Sequence, residues 1–120
     1  MTRALWFRLG WLQVLAVVAL CLWPLRELPG PDLAWTDKLY HAGAFGILMW
    51  WFAVALPRAR WPSTGLCVVC LGVLIEFAQA FVPLRSPSVA DVLADALGVL
   101  AGALLAWLTP ARLPAWRPPT

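Results

Sequence analysis

Four apolar segments alternate with short polar, Pro-marked breaks: Leu9 to Leu25, Leu39 to Leu56, Leu66 to Val82 and Val89 to Leu108. They contain 17, 18, 17 and 20 residues, close to the ~20 that span a bilayer's hydrocarbon core. Pro29, Gly30 and Pro31 mark the first break, Pro57 and Pro62 the second, Pro83 and Pro87 the third. Pro110, Pro114, Pro118 and Pro119 keep the C-terminal stretch from continuing as a helix. A backbone in lipid must satisfy its own hydrogen bonds, so each segment is predicted to be helical. The expected fold is all-α: a four-transmembrane-helix bundle of up-down topology over residues 9–108. Residues 1–8 form an N-terminal flank and 109–120 a Pro-rich tail.

Composition agrees with this reading. The 120 residues are 62% hydrophobic and only 12% charged, about half the charge of a soluble domain. The net charge of +3 does not indicate nucleic acid, because the Arg residues flank apolar segments and form no patch. Arg3 and Arg8 precede the first segment as in a secretory signal, but no small-x-small site follows Trp23-Pro24-Leu25-Arg26. An uncleaved anchor is expected.

The basic residues predict orientation. Arg3, Arg8, Arg58, Arg60, Arg112 and Arg117 fall on one side and Arg26, Lys38 and Arg85 on the other. Six against three places both termini in the cytoplasm, in a bacterial inner membrane. Trp6, Trp23, Trp35, Trp61 and Trp107 suit an interfacial belt, whereas Trp50 and Trp51 read as lipid-facing bulk. In the fourth segment Ala90, Ala94, Gly98, Gly102 and Ala106 recur every fourth position. Such a stripe lets another helix backbone approach closely, and self-association through Gly98 and Gly102 is one use of it.

The remaining polar residues change the picture more. Asp37, Lys38, His41, Glu76, Gln79, Arg85, Ser86, Ser88, Asp91 and Asp95 all fall in the outer half of the predicted bundle or on its outer surface. Ionisable groups in hydrocarbon are expensive and tend to serve a function. Asp37 and His41 share a helical face, as do Glu76 and Gln79, and Asp91 and Asp95. The short third connection makes the third and fourth helices antiparallel neighbours, so their polar faces can meet. Several of these residues have plainer readings. Ser88 followed three later by Asp91 is a capping-box variant, Asp91 suits the positive end of a helix dipole, and Lys38 and Arg85 can snorkel. Glu76 resists such readings, since it lies roughly 9 Å inside Val82 along the helix. Two cations, Lys38 and Arg85, oppose four carboxylates, so the cluster implies retained protons, a charged His41 or a bound cation. Cys67-Val68-Val69-Cys70 lies in an apolar helix with no second pair and, like Cys21, reads as small-residue packing.

Asp37-Lys38-Leu39-Tyr40-His41 with Phe45, then Gly72-x-x-Ile75-Glu76-x-x-Gln79-x-Phe81, then Arg85-Ser86-Pro87-Ser88-x-x-Asp91-x-x-Ala94, then Gly98-x-x-x-Gly102, together resemble the VanZ-like membrane protein family. The resemblance covers about Asp37 to Trp107. It implies a small multi-pass protein of the cell envelope, the namesake being associated with resistance to the glycopeptide teicoplanin. It implies no particular reaction. Some relatives carry a phosphotransbutyrylase label, but the chain shows no soluble domain to house that chemistry. One position departs from the family pattern, which commonly has Asn where this chain has Asp95. The extra carboxylate is expected to pair with Lys38 or Arg85, or to be neutral.

Two functions follow. In the first, the chain is a non-catalytic envelope protein. Asp37, Lys38, His41, Glu76, Gln79, Arg85, Ser88, Asp91 and Asp95 would bind a lipid headgroup, a lipid-linked precursor or a partner protein. In the second, it is a membrane-embedded enzyme with Glu76 or Asp91 as base, His41 as acid or base, and Lys38 and Arg85 clamping an anion. A proton or cation pathway is disfavoured by the apolar inner half. Ligand types permit metal at His41, Glu76 and Asp91, but one His and scattered carboxylates fall short of a motif, so neither metal nor other cofactor is expected.

Overall fold

A computed structural model describes residues 2–24 and 35–110. The Pro29-Gly30-Pro31 break, Arg26 and the tail beyond Pro110 lie outside the described residues. The described chain is all-helical, with α1 (Arg3–Leu22), α2 (Thr36–Ala53), α3 (Trp61–Gln79) and α4 (Val89–Leu108), plus one 3-10 turn at Arg58–Arg60.

Only α4 matches its apolar segment end for end. The others begin earlier, because a helix continues into polar flanks where lipid does not. Thr2 caps α1, its Oγ1 accepting from the Leu5 N–H at 3.2 Å. α3 begins at Trp61, five residues before Leu66, because Pro62 sits in its first turn, where no N–H is needed. α3 ends at Gln79 and not Val82. A tight turn follows in which Leu84 adopts φ 67° and the Arg85 N–H donates to Val82 at 3.3 Å.

α2 and α4 form the closest pair. The Gly98 Cα faces the Ala42 backbone carbonyl, and Gly102 faces that of Gly46. Both contacts advance in the same sense, so the two helices run parallel. Gly98 and Gly102 of the predicted small-residue stripe are therefore packed against α2 of the same chain. α3 meets α4 in the opposite sense, with Gly65 beside Val99 and Gly72 beside Asp95. The core is drawn from α2 (Phe45, Leu48, Met49, Ala53), α3 (Val68, Ile75) and α4 (Val99, Ala106).

α1 is attached chiefly near its ends. At one end Trp6 and Trp51 stack with centroids 3.8 Å apart. Each indole N–H donates to the other's backbone carbonyl, at 2.9 and 3.0 Å. The Trp50 indole donates to Thr109 Oγ1 at 3.0 Å. These two residues, read from sequence as lipid-facing bulk, are instead structural ties. A Trp N–H in lipid requires an acceptor, and a backbone carbonyl serves. Nearby, Arg58 lies over the rings of Trp61 and Trp107, as an interfacial anchor would.

The outer surface is apolar: Leu15, Leu74, Phe77, Leu97, Leu100 and Leu104 are all exposed. Cys67 and Cys70 are also exposed, so they do not pack within the bundle as expected, while Cys21 packs against the core. Among the described residues three helices are long and apolar enough to cross a membrane: Arg3–Leu22, Arg58–Gln79 and Val89–Leu108. α2 has the length, but Asp37, Lys38 and His41 occupy its first two turns.

Candidate functional site

The polar residues gather where the N-terminal ends of α2 and α4 meet the C-terminal end of α3. The parallel packing of α2 on α4 sets the pairing. Residues 37, 38 and 41 face 91 and 95, one turn apart on each helix.

His41 is the centre. Its Nδ1 lies 2.9 Å from Asp95 Oδ1, and its Nε2 lies 3.6 Å from Asp91 Oδ2 and 3.9 Å from Asp37 Oδ1. Lys38 Nζ pairs with Asp91 Oδ1 at 2.9 Å and lies 3.8 Å from Asp37. His41, Asp91 and Asp95 are buried, while Asp37 and Lys38 are about one third exposed and form the open side. Asp95 thus pairs with His41 and with neither expected cation. Lys38 is committed to Asp91, and Arg85 points elsewhere.

Glu76 acquires a structural role. Its Oε2 accepts the backbone N–H of Ser88 at 2.8 Å, which ties α3 to the N-cap residue of α4. Ser88 caps α4 without the side-chain hydrogen bond expected of it; Asp91 does lie in the first turn, at the positive end of the dipole. The second oxygen, Glu76 Oε1, is buried with no hydrogen-bond partner among the described residues, and so is Asp95 Oδ2.

Gln79 and Arg85 serve α1. Gln79 Nε2 donates to the Cys21 carbonyl at 2.7 Å. Arg85 donates through Nε to the Trp23 carbonyl at 2.7 Å and through Nη2 to that of Leu20 at 2.8 Å. The last carbonyls of a helix are short of intrahelical donors, that of Leu20 taking the Trp23 N–H at a long 3.4 Å, and a guanidinium suits that negative end. No local signal in the sequence marks this role, since donor and acceptor are 62 and 65 residues apart.

Asp95 is seated by Gly72. A Cβ at position 72 would come 2.5 Å from Asp95 Oδ2 and 3.2 Å from the Phe45 ring, so only glycine leaves the carboxylate its place. Gly72→Ala is expected to push Asp95 off His41 and destabilise the fold by about 1–3 kcal/mol. His41 is the chain's single histidine, so thermal melting together with its ring nitrogen resonances reads both effects without ambiguity.

The arrangement concentrates four carboxylates around one ammonium and one imidazole. Two trios place one ligand atom per residue within 4.8 Å of one another, Asp37–His41–Asp91 and His41–Glu76–Asp95. An open apolar groove of about 660 Å³ lies toward the other end of α3 and α4, lined by Met49, Trp61, Gly65 and Val99, with Arg58 its one charged residue. It brings no acid–base pair together.

Apolar helix surfaces around a buried polar knot define an integral membrane protein of helical type. The VanZ/LLP1 profile matches residues 3–110, and the chain belongs to that family. No curated protein and no solved structure matches it.

Proposed function

We propose that the chain crosses the bacterial inner membrane four times in up-down order. Both termini would be cytoplasmic, and the His41 cluster would lie at the outer face. There it binds the headgroup of a membrane lipid or of a lipid-linked envelope precursor. The excess of basic residues at the α2–α3 connection supports that orientation, as does Arg58 lodged over Trp61 and Trp107.

One observation carries the binding role. Charged groups are buried at the end of a bundle that could have been closed with apolar residues. Burying ion pairs seldom stabilises a fold relative to well-packed apolar side chains. Such groups in a membrane helix therefore point to use. Lys38 and Asp37, about one third exposed at the mouth, offer one cation and one anion to a headgroup, and Asp91 behind them fixes Lys38 in place.

The test is lipid retention. Protein extracted from membranes and examined by native mass spectrometry is expected to carry phosphate-bearing lipid adducts. Lys38→Gln is expected to reduce their occupancy on the folded protein about tenfold, equivalent to about 1.4 kcal/mol, and also to lower the melting temperature, because it leaves the buried Asp91 without its cation. Equal adducts on wild type and variant would remove the binding reading.

A further inference from the structure

His41, Glu76 and Asp95 come from three different helices, and each is at least nine-tenths buried. Each contributes one potential ligand atom, and the three atoms lie within 4.8 Å of one another. His41 Nδ1 and Asp95 Oδ1 are 2.9 Å apart, a little short of the roughly 3.4 Å between neighbouring ligands of a tetrahedral site with bonds of about 2.1 Å. Glu76 Oε2 is held by Ser88, but Glu76 Oε1 and Asp95 Oδ2 have no donor among the described residues. Two buried carboxylate oxygens without donors are costly. A single proton answers one of them, whereas a divalent cation answers both.

We propose that His41, Glu76 and Asp95 form a binding site for a divalent transition-metal ion. Nδ1 of His41 ligates as neutral imidazole and gives up its hydrogen bond to Asp95, both groups now meeting the ion. The remaining ring N–H, on Nε2, then points toward Asp91 Oδ2, 3.6 Å away, a carboxylate that Lys38 holds at 2.9 Å. A carboxylate behind a ligating histidine is the usual means of setting its tautomer and orientation. One imidazole and two carboxylates suit Zn²⁺ or Mn²⁺ better than a softer ion. The other trio, Asp37–His41–Asp91, is the poorer site because the Lys38 ammonium already supplies its positive charge. This inference goes beyond the headgroup reading and does not depend on it, since the ion would lie behind the residues that form the mouth.

The experiment uses the untagged full-length protein in detergent, stripped with chelator and then given Zn²⁺, Mn²⁺ or Co²⁺. One ion per chain is expected by elemental analysis, with a rise in melting temperature of about 5 °C or more at saturation and weaker binding as pH falls. Glu76→Gln and Asp95→Asn are each expected to weaken binding at least about tenfold. The exposed thiols of Cys67 and Cys70 are a competing site, so the measurement is repeated with Cys67→Ser/Cys70→Ser, which is expected to retain the ion. Loss of the ion in that variant overturns the proposal, and so does a wild-type chain that binds none. Should the carboxylate variants fail to fold, the visible spectrum of the wild-type Co²⁺ form decides. Nitrogen–oxygen ligation without a thiolate charge-transfer band supports the site, and a thiolate band rejects it.

Discussion

Gly98→Val is expected to abolish accumulation of the folded protein, or to cost about 3 kcal/mol or more where it still folds. A Cβ at position 98 would run into the backbone carbonyl of Ala42, and neither a helix backbone nor its hydrogen bonds can yield as a flexible side-chain tip does. Relief therefore requires moving α2 away from α4 as a body. That movement would also part His41 from Asp95 and Lys38 from Asp91, because all three contacts belong to one parallel interface. The same glycine-to-larger change elsewhere supplies the contrast. A Cβ at Gly43 meets nothing within 4 Å. Gly43→Ala is thus expected to be neutral or to gain up to about 1 kcal/mol from helix propensity. Melting of both variants in detergent checks the pair, and a Gly98→Val chain as stable as Gly43→Ala would refute the close α2–α4 contact.

Asp95→Ala is expected to be the most damaging change within the polar cluster, by about 3 kcal/mol. It removes a fully buried carboxylate whose oxygen meets His41 Nδ1 at 2.9 Å, leaves a buried imidazole without that partner, and opens a gap beside Gly72. Removing both members tests what the pair contributes. His41→Phe with Asp95→Leu is expected to recover most of the lost stability, because an apolar pair of similar volume avoids desolvating two polar groups. A double-mutant cycle on thermal melting reads the coupling directly. Recovery of stability with no recovery of metal or lipid binding would separate the cluster's use from its part in holding the fold. A double variant no more stable than Asp95→Ala would show that the pair itself holds α2 to α4.

Much of this was legible in the chain, and the failures share a cause. The four helices follow from apolar runs and from the rule that lipid forces a backbone to satisfy itself. α4 was placed end for end because Ser88 and Pro110 frame an uninterrupted apolar stretch. The gathering of His41, Asp91 and Asp95 followed from their common depth. Their pairing did not, because it depends on the parallel register of α2 against α4. That register is set by Gly98 and Gly102 seating on Ala42 and Gly46, and no short connection between the two helices advertises it. The short third connection drew attention to α3 and α4, and what it brings together is Glu76 and the Ser88 N–H, a side chain reaching a backbone group. The partners of Arg85, Gln79, Trp50 and Trp51 escape a sequence reading for a similar reason. Three of the four donate to a main-chain carbonyl and Trp50 to the Thr109 hydroxyl, and carbonyls in particular have no residue-type signature to read.

The ties on α1 imply an order of assembly. α1 is synthesised first, yet the residues that secure it come later: Trp51 at its N-terminal end, and Gln79 and Arg85 at its C-terminal end. Between those ties only Gly10 is fully buried, and Val14, Val17 and Val18 pack partly exposed against the core. Until Arg85 emerges, the Trp23 carbonyl must find a water or headgroup partner at the membrane surface. Of the four helices α1 is thus fastened by residues that follow it in the chain, and a chain interrupted before Arg85 would lack the guanidinium that holds its C-terminal end.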